Sequence, residues 1–86
     1  MIIRTSPRFR KSYQRLPKRI KEKAKEKEFV FRENPFAPQL KTHKLSGKDK
    51  ECWAFRITKS IRIKFIFLSE QEVLFLDIGP HPKIYK

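Results

Sequence analysis

Apolar residues recur at helical spacing through the first third of the chain and at every second position through its second half, with the change near Leu40. Phe9, Tyr13, Leu16, Ile20, Ala24 and Phe31 are separated by three, four or a multiple of the helical period, which makes one apolar stripe on helix. "TSPRF" opens the stripe, with Ser6 placed to cap the helix and Pro7 in its first turn, where a missing N–H costs nothing. Pro17 interrupts it, because proline lacks the donor and disfavours helix in the residue before it. The pattern therefore predicts two helices, over residues 7–15 and 18–33, after a short strand over residues 1–4. "ENPFAP" ends the helices at Asn34 and Pro35. Alternation beyond it predicts strands near 40–46, 52–58, 61–68 and 72–79, parted by the turn sequences "SGKDK", "TKS" and "SEQE". Without repeat, linker or second domain, residues 1–86 read as a single domain. The order β-α-α-β-β-β-β predicts a small α+β fold, a helical pair packed on one face of a mostly antiparallel sheet.

Alternation also sorts side chains by face. Trp53, Phe55 and Ile57 point one way and Ala54, Arg56 and Thr58 the other; Ile61, Ile63, Phe65 and Phe67 oppose Arg62, Lys64, Ile66 and Leu68. If both aromatic rows cover the helices, Ile57 lies opposite Ile61, Arg56 opposite Arg62 and Ala54 opposite Lys64. Like charges directly across a sheet are destabilising. Arg56, Arg62 and Lys64 on one face make sense if they hold an anion such as phosphate, with arginine's planar fork as the best fit; otherwise the face is plain solvent-exposed surface.

Charge sharpens this picture. There are 22 Lys and Arg against nine Asp and Glu, a formal net charge of +13, and every stretch of the chain is basic. Such self-repulsion in a small body points to a polyanionic partner, most often nucleic acid, with an acidic protein as the other candidate. The run "KRIKEKAKEKEF" is by contrast an ordinary solvated helix face, laced by pairs such as Glu28 with Arg32. A single cysteine, Cys52, allows neither an internal disulfide nor a thiol pair for zinc, which fits a reducing cytosol. "MIIRTSPRFRK" is too short in apolar residues for a signal-peptide core, and no uncharged run is long enough to span a bilayer.

With only Gly47 and Gly79, neither a P-loop nor a dinucleotide fingerprint can be written, and no acidic cluster offers a magnesium site. Phosphate chemistry here would run on side chains alone, with no cofactor and no metal. Proton transfer near neutral pH then falls to His43 and His81, with Tyr85 four residues beyond the second in "LDIGPHPKIYK". Taken singly, each histidine fits an ordinary surface residue, and Tyr85 fits a tail residue packed back on the sheet. Both histidines could reach the same sheet face, where Tyr85 could stack on a base or hydrogen-bond a phosphate.

From "HKLSG" through "WAFRITKSIRIKFIF" to "LDIGPHPKIY", and in length, the chain resembles the RelE/ParE superfamily of type II toxins, especially the RelE-like and YafQ-like mRNA interferases. The resemblance implies a compact RelE-like α+β fold, a cytoplasmic protein with an antitoxin encoded beside it, and cleavage of mRNA, commonly in the ribosomal A site. Arg62 matches the hairpin arginine that contacts phosphate, and Arg56 falls near a basic strand position. His81 matches the place of a general acid, Tyr85 the C-terminal aromatic, and His43 a histidine that contributes to catalysis in YafQ-like toxins. Lys44, Lys64 and Lys83 are the expected RNA contacts. The sequence departs from the pattern at Ala54, where RelE has a lysine, and offers no obvious acidic base on the sheet face. His43 is therefore the expected base, His81 the acid, and Arg56 and Arg62 the groups that stabilise charge on phosphorus. The alternatives are a ParE-like inhibitor of DNA gyrase, with no need of His81, and a non-catalytic module that binds RNA or the ribosome through counterion release and stacking.

Overall fold

The computed structural model describes residues 1–47 and 51–85, so Lys48, Asp49 and Lys50 of the expected "SGKDK" turn lie outside the described residues. The chain runs β1 (Ile2–Thr5), α1 (Pro7–Gln14), α2 (Lys18–Glu33), a 3₁₀ turn (Pro38–Leu40), β2 (His43–Lys44), β3 (Trp53–Arg56), β4 (Ile61–Ser69), β5 (Glu72–Pro80) and α3 (His81–Ile84). The five strands form one sheet in the order β1-β5-β4-β3-β2. Only β1 runs parallel to its neighbour, pairing Ile3 with Val73. The expected α+β fold and its order of elements stand.

Local chemistry explains the helix ends. Ser6 Oγ accepts a hydrogen bond from the Phe9 amide at 3.0 Å and donates to the Leu76 carbonyl at 2.8 Å, so one side chain caps α1 and fastens it to β5. Pro17 separates the helices, its carbonyl accepting from Ile20 and Lys21 to start α2. The Asn34 side chain accepts from the Phe36 amide at 2.9 Å and turns the chain away.

Both helices cover one face of the sheet. Phe31 of α2 is completely buried at its centre, stacked on Phe55 at 4.6 Å between ring centroids and edge-on to Phe65 at 5.0 Å and Phe75 at 5.6 Å. These are the offset and T-shaped arrangements that aromatic quadrupoles favour. Tyr13 donates its hydroxyl to the Lys21 carbonyl, and burial first, then the Glu28 carboxylate, push its phenol pKa up. The core thus keeps a neutral donor there.

Three features depart from the expected elements. The strand foreseen over 40–46 shrinks to two residues, because Pro38 opens a 3₁₀ turn and Lys41 takes a left-handed conformation (φ 52°) at its end. In β5 a bulge intervenes: Lys64 pairs with Asp77 but Phe65 pairs with Phe75, which leaves Leu76 as the extra residue. Phe75 and Ile78 consequently both reach the core although their spacing is odd. Lastly, the C-terminal segment is not a tail but a short helix, α3, whose Ile84 is 1% exposed. Among the described residues no helix is long and apolar enough to cross a membrane.

Candidate active site

Residues directly opposite one another in an antiparallel ladder share a face, so the pairing fixes what gathers opposite the helices. One row runs His43, Ala54, Lys64, Asp77 across β2, β3, β4 and β5; the next runs Arg56, Arg62, Gly79. The register expected from the aromatic rows, with Arg56 opposite Arg62 and Ala54 opposite Lys64, is the observed one. Each row holds one small residue. Ala54 is completely buried, and a Cβ on Gly79 would meet Lys83 Cδ at 2.8 Å, because α3 lies over this floor. Ala54, where the sequence departs from the pattern it resembles, is thus part of the buried floor of this face.

The site side chains hang from α3 and from β2. The His81 amide donates to the Ser60 carbonyl at 2.9 Å, which ties the start of α3 to the β3–β4 turn. Arg62 braces that turn, its Nη1 donating to the Thr58 carbonyl at 2.7 Å and the Lys59 carbonyl at 2.9 Å. On α3, His81 and Tyr85 are one helical turn apart, and their rings meet at 4.0 Å between centroids. The Tyr85 hydroxyl then reaches His43 Nε2 at 2.6 Å, while His43 Nδ1 lies 2.9 Å from the Lys41 carbonyl. A carbonyl can only accept, so in the neutral imidazole Nδ1 carries the proton and Nε2 keeps its lone pair, which accepts from Tyr85. The left-handed turn at Lys41 thus supplies the carbonyl that fixes the tautomer. The group is open to solvent along a cleft of about 250 Å³ lined by His43, Lys44, Leu45, Ser46 and Tyr85.

The other expected residues fall at varied distances from this centre. Arg56, half-buried on the same face, has no side-chain hydrogen bond or ion pair among the described residues. Lys64 is half-buried opposite Asp77. Lys83, foreseen as an RNA contact, lies on the far side of α3, donating to Ser12 Oγ at 3.0 Å and lying 3.5 Å from Asp77 Oδ1.

Asp77 is what the sequence reading missed, for the face does hold a carboxylate. It is 7% exposed, accepts from Ser12 Oγ at 2.7 Å and from the Ile78 amide at 2.9 Å, and faces Lys83. A lone acid inside the apolar run "LFLDIGP" is a signal in itself, since a buried carboxylate requires partners. Those partners lie on α1 and α3, where no spacing rule points. Among the described residues no three His, Cys, Asp or Glu side chains converge where a metal ion could be held.

Neither a protein-family model nor a curated protein matches the chain. Solved structures do. A YoeB/ParE toxin from Agrobacterium tumefaciens superposes with a TM-score of 0.79 at 25% identity, covering 94% of this chain and 99% of the other. YafQ in the E. coli DinJ-YafQ toxin-antitoxin complex gives 0.78 at 20% identity, over 98% and 96%. The archaeal RelE-RelB complex from Pyrococcus horikoshii OT3 gives 0.73 at 18% identity, over 92% of each chain.

Proposed function

We propose that this chain, which has the fold of the RelE/ParE-superfamily toxins, is the toxin of a type II toxin–antitoxin pair and a metal-independent endoribonuclease that cuts mRNA on the ribosome. The observation that carries the reading is the His43–Tyr85–His81 cluster, three proton-bearing side chains gathered at the edge of a cationic sheet face. An antitoxin partner accords with the DinJ-YafQ complex among its structural neighbours and with a net charge of +13 that an acidic protein would cover.

In the proposed reaction the RNA 2′-hydroxyl displaces the Tyr85 hydroxyl from His43 Nε2 and gives that nitrogen its proton. The 2′-oxygen bonds to the adjacent phosphorus while the bond from phosphorus to the 5′-oxygen breaks, and His81 protonates the leaving oxygen. A 2′,3′-cyclic phosphate and a 5′-hydroxyl result. Charge building on the phosphoryl oxygens is met by Arg56, which has no partner to give up among the described residues, and by Arg62, whose brace on the turn holds its guanidinium in place. Lys44 and Lys64 flank the path of the strand. Each histidine contributes about 10²- to 10⁴-fold as general base or acid.

The test is primer extension on a translated mRNA incubated with the purified protein in EDTA, with and without ribosomes, beside His81→Ala and His43→Ala. Sharp new 5′-ends that vanish in both variants, with a bell-shaped pH profile in the parent, are the expected result. Ends that persist in His43→Ala remove the assigned base. If folded protein yields no ends under any condition, the nuclease reading is wrong, and gyrase inhibition or simple RNA binding takes its place.

A further inference from the structure

A second cationic cleft lies on the other side of α3 from His43. In α1 and its C-cap, Arg8, Lys11 and Arg15 recur at i, i+3 and i+7, so they share one helix face while Phe9 turns to the core. These three, with Ser12, Asp77 and Lys83, line a cleft of about 360 Å³. Its single carboxylate is already committed to Ser12, Lys83 and the Ile78 amide. Arg8, Lys11 and Arg15 have no side-chain hydrogen bond or ion pair among the described residues. Their mutual repulsion is uncompensated, and Arg8 stands in the first turn of a helix that has no acid there, against the helix dipole. Among the described residues, then, three cations surround a concavity whose one carboxylate is already engaged elsewhere.

Position identifies the partner. Lys83 sits between His81 and Tyr85 in α3 and leaves the helix on the opposite side, so the two clefts are separated by little more than the width of one short helix. A strand whose scissile phosphate lay at His43 and His81 and which continued past α3 would bring its flanking phosphates toward α1. Resting on the nuclease reading above, we infer that Arg8, Lys11 and Arg15 form a second phosphate subsite, which grips the RNA strand flanking the bond to be cut. Lys83, neutralised by Asp77, is the wall between the two sites and not a contact. Two of the three free cations are arginines, whose fork suits a phosphodiester oxygen pair. Contacts of this kind carry no sequence information; they fix affinity and register.

The experiment measures binding of non-cleavable RNA, with a 2′-deoxy group at the scissile nucleotide, as a function of salt. One strand spans only the cut, and a longer one extends beyond it on both sides. The parent is compared with the triple variant Arg8→Gln, Lys11→Gln, Arg15→Gln, all at exposed positions, and with a charge-matched control on α2, Arg19→Gln, Lys23→Gln, Lys25→Gln. Single-stranded contacts contribute about 0.7 each to the log–log salt slope, so the triple variant is expected to lose about 2 from the slope for the long strand. Binding of the short strand, and the control variant's binding of both, should be unchanged. An equal loss in the control, or none in the triple variant, overturns the subsite. So does a triple variant that binds both strands normally but loses affinity only for ribosomes or only for a poly-glutamate peptide, which would assign the cleft to ribosomal RNA or to an acidic protein. If the parent binds neither strand, the nuclease reading fails first and the subsite falls with it; if the parent binds and cuts but the triple variant is indistinguishable from it, only the subsite is lost.

Discussion

The two faces of the sheet are held by different kinds of force. On the helix side, Phe31 sits among Phe55, Phe65 and Phe75, and the contacts are non-directional burial of large rings. On the other side the floor is Ala54 and Gly79, and α3 is held by bonds between named atoms: Asp77 with Ser12 and Lys83, Arg62 with the turn carbonyls, Tyr85 with His43. The first face supplies stability and tolerates approximate fit. The second buries Ala54 and Ile84 but no aromatic cluster, holds like-charged neighbours, and sets the positions of proton-bearing groups.

This contrast can be broken from either side. Phe31→Ala removes the ring that three others pack on and should lower unfolding free energy by about 3–5 kcal/mol, read by urea denaturation, enough to unfold much of a domain this size. A loss below about 1 kcal/mol would mean that the aromatic cluster is not the main source of stability. Asp77→Ala should cost about 1–3 kcal/mol, because Ser12 and Lys83 lose their shared acceptor. RNA cleavage should fall further than that stability loss explains, since α3 carries His81 and Tyr85; unchanged cleavage by the folded fraction would separate the tether from the site. Gly79→Ala should cost about 1 kcal/mol by pressing on Lys83, and Lys83→Ala in the same chain should relieve part of it. Strict additivity of the two would contradict the close approach over Gly79. The smallest effect is expected at Lys41→Gly, where relief of the left-handed strain exceeds the entropy of a new glycine by about 0.5 kcal/mol, a small rise in thermal midpoint.

Much of the helix side is legible in the sequence. Ser6 and Pro7 announced α1, Pro17 divided the helices, and the two aromatic rows fixed the β3–β4 register, because each rests on local sterics or on a strict period. The site side was only half legible. His43, Arg56 and Arg62 were placed by alternation, but α3 is too short for periodicity to show and exists because Ile84 is buried and Ser60 holds its first amide. Asp77 escaped notice because its partner Ser12 lies 65 residues away, and the bulge at Leu76 that turns β5 so that both Phe75 and Ile78 face inward answers to sheet twist, not to any residue type.

The parallel pairing of β1 with β5 has a consequence for timing. Ile3 finds Val73, and Ser6 finds Phe75 and Leu76, only once β5, some 70 residues further along, has been made. Until β5 emerges, the growing chain therefore carries an unpaired first strand and an undocked α1, and long-range closures of this kind are the slow ones. Because His81 and Tyr85 follow β5 in the chain, the cluster they form with His43 draws on residues made later than both partners of that closure.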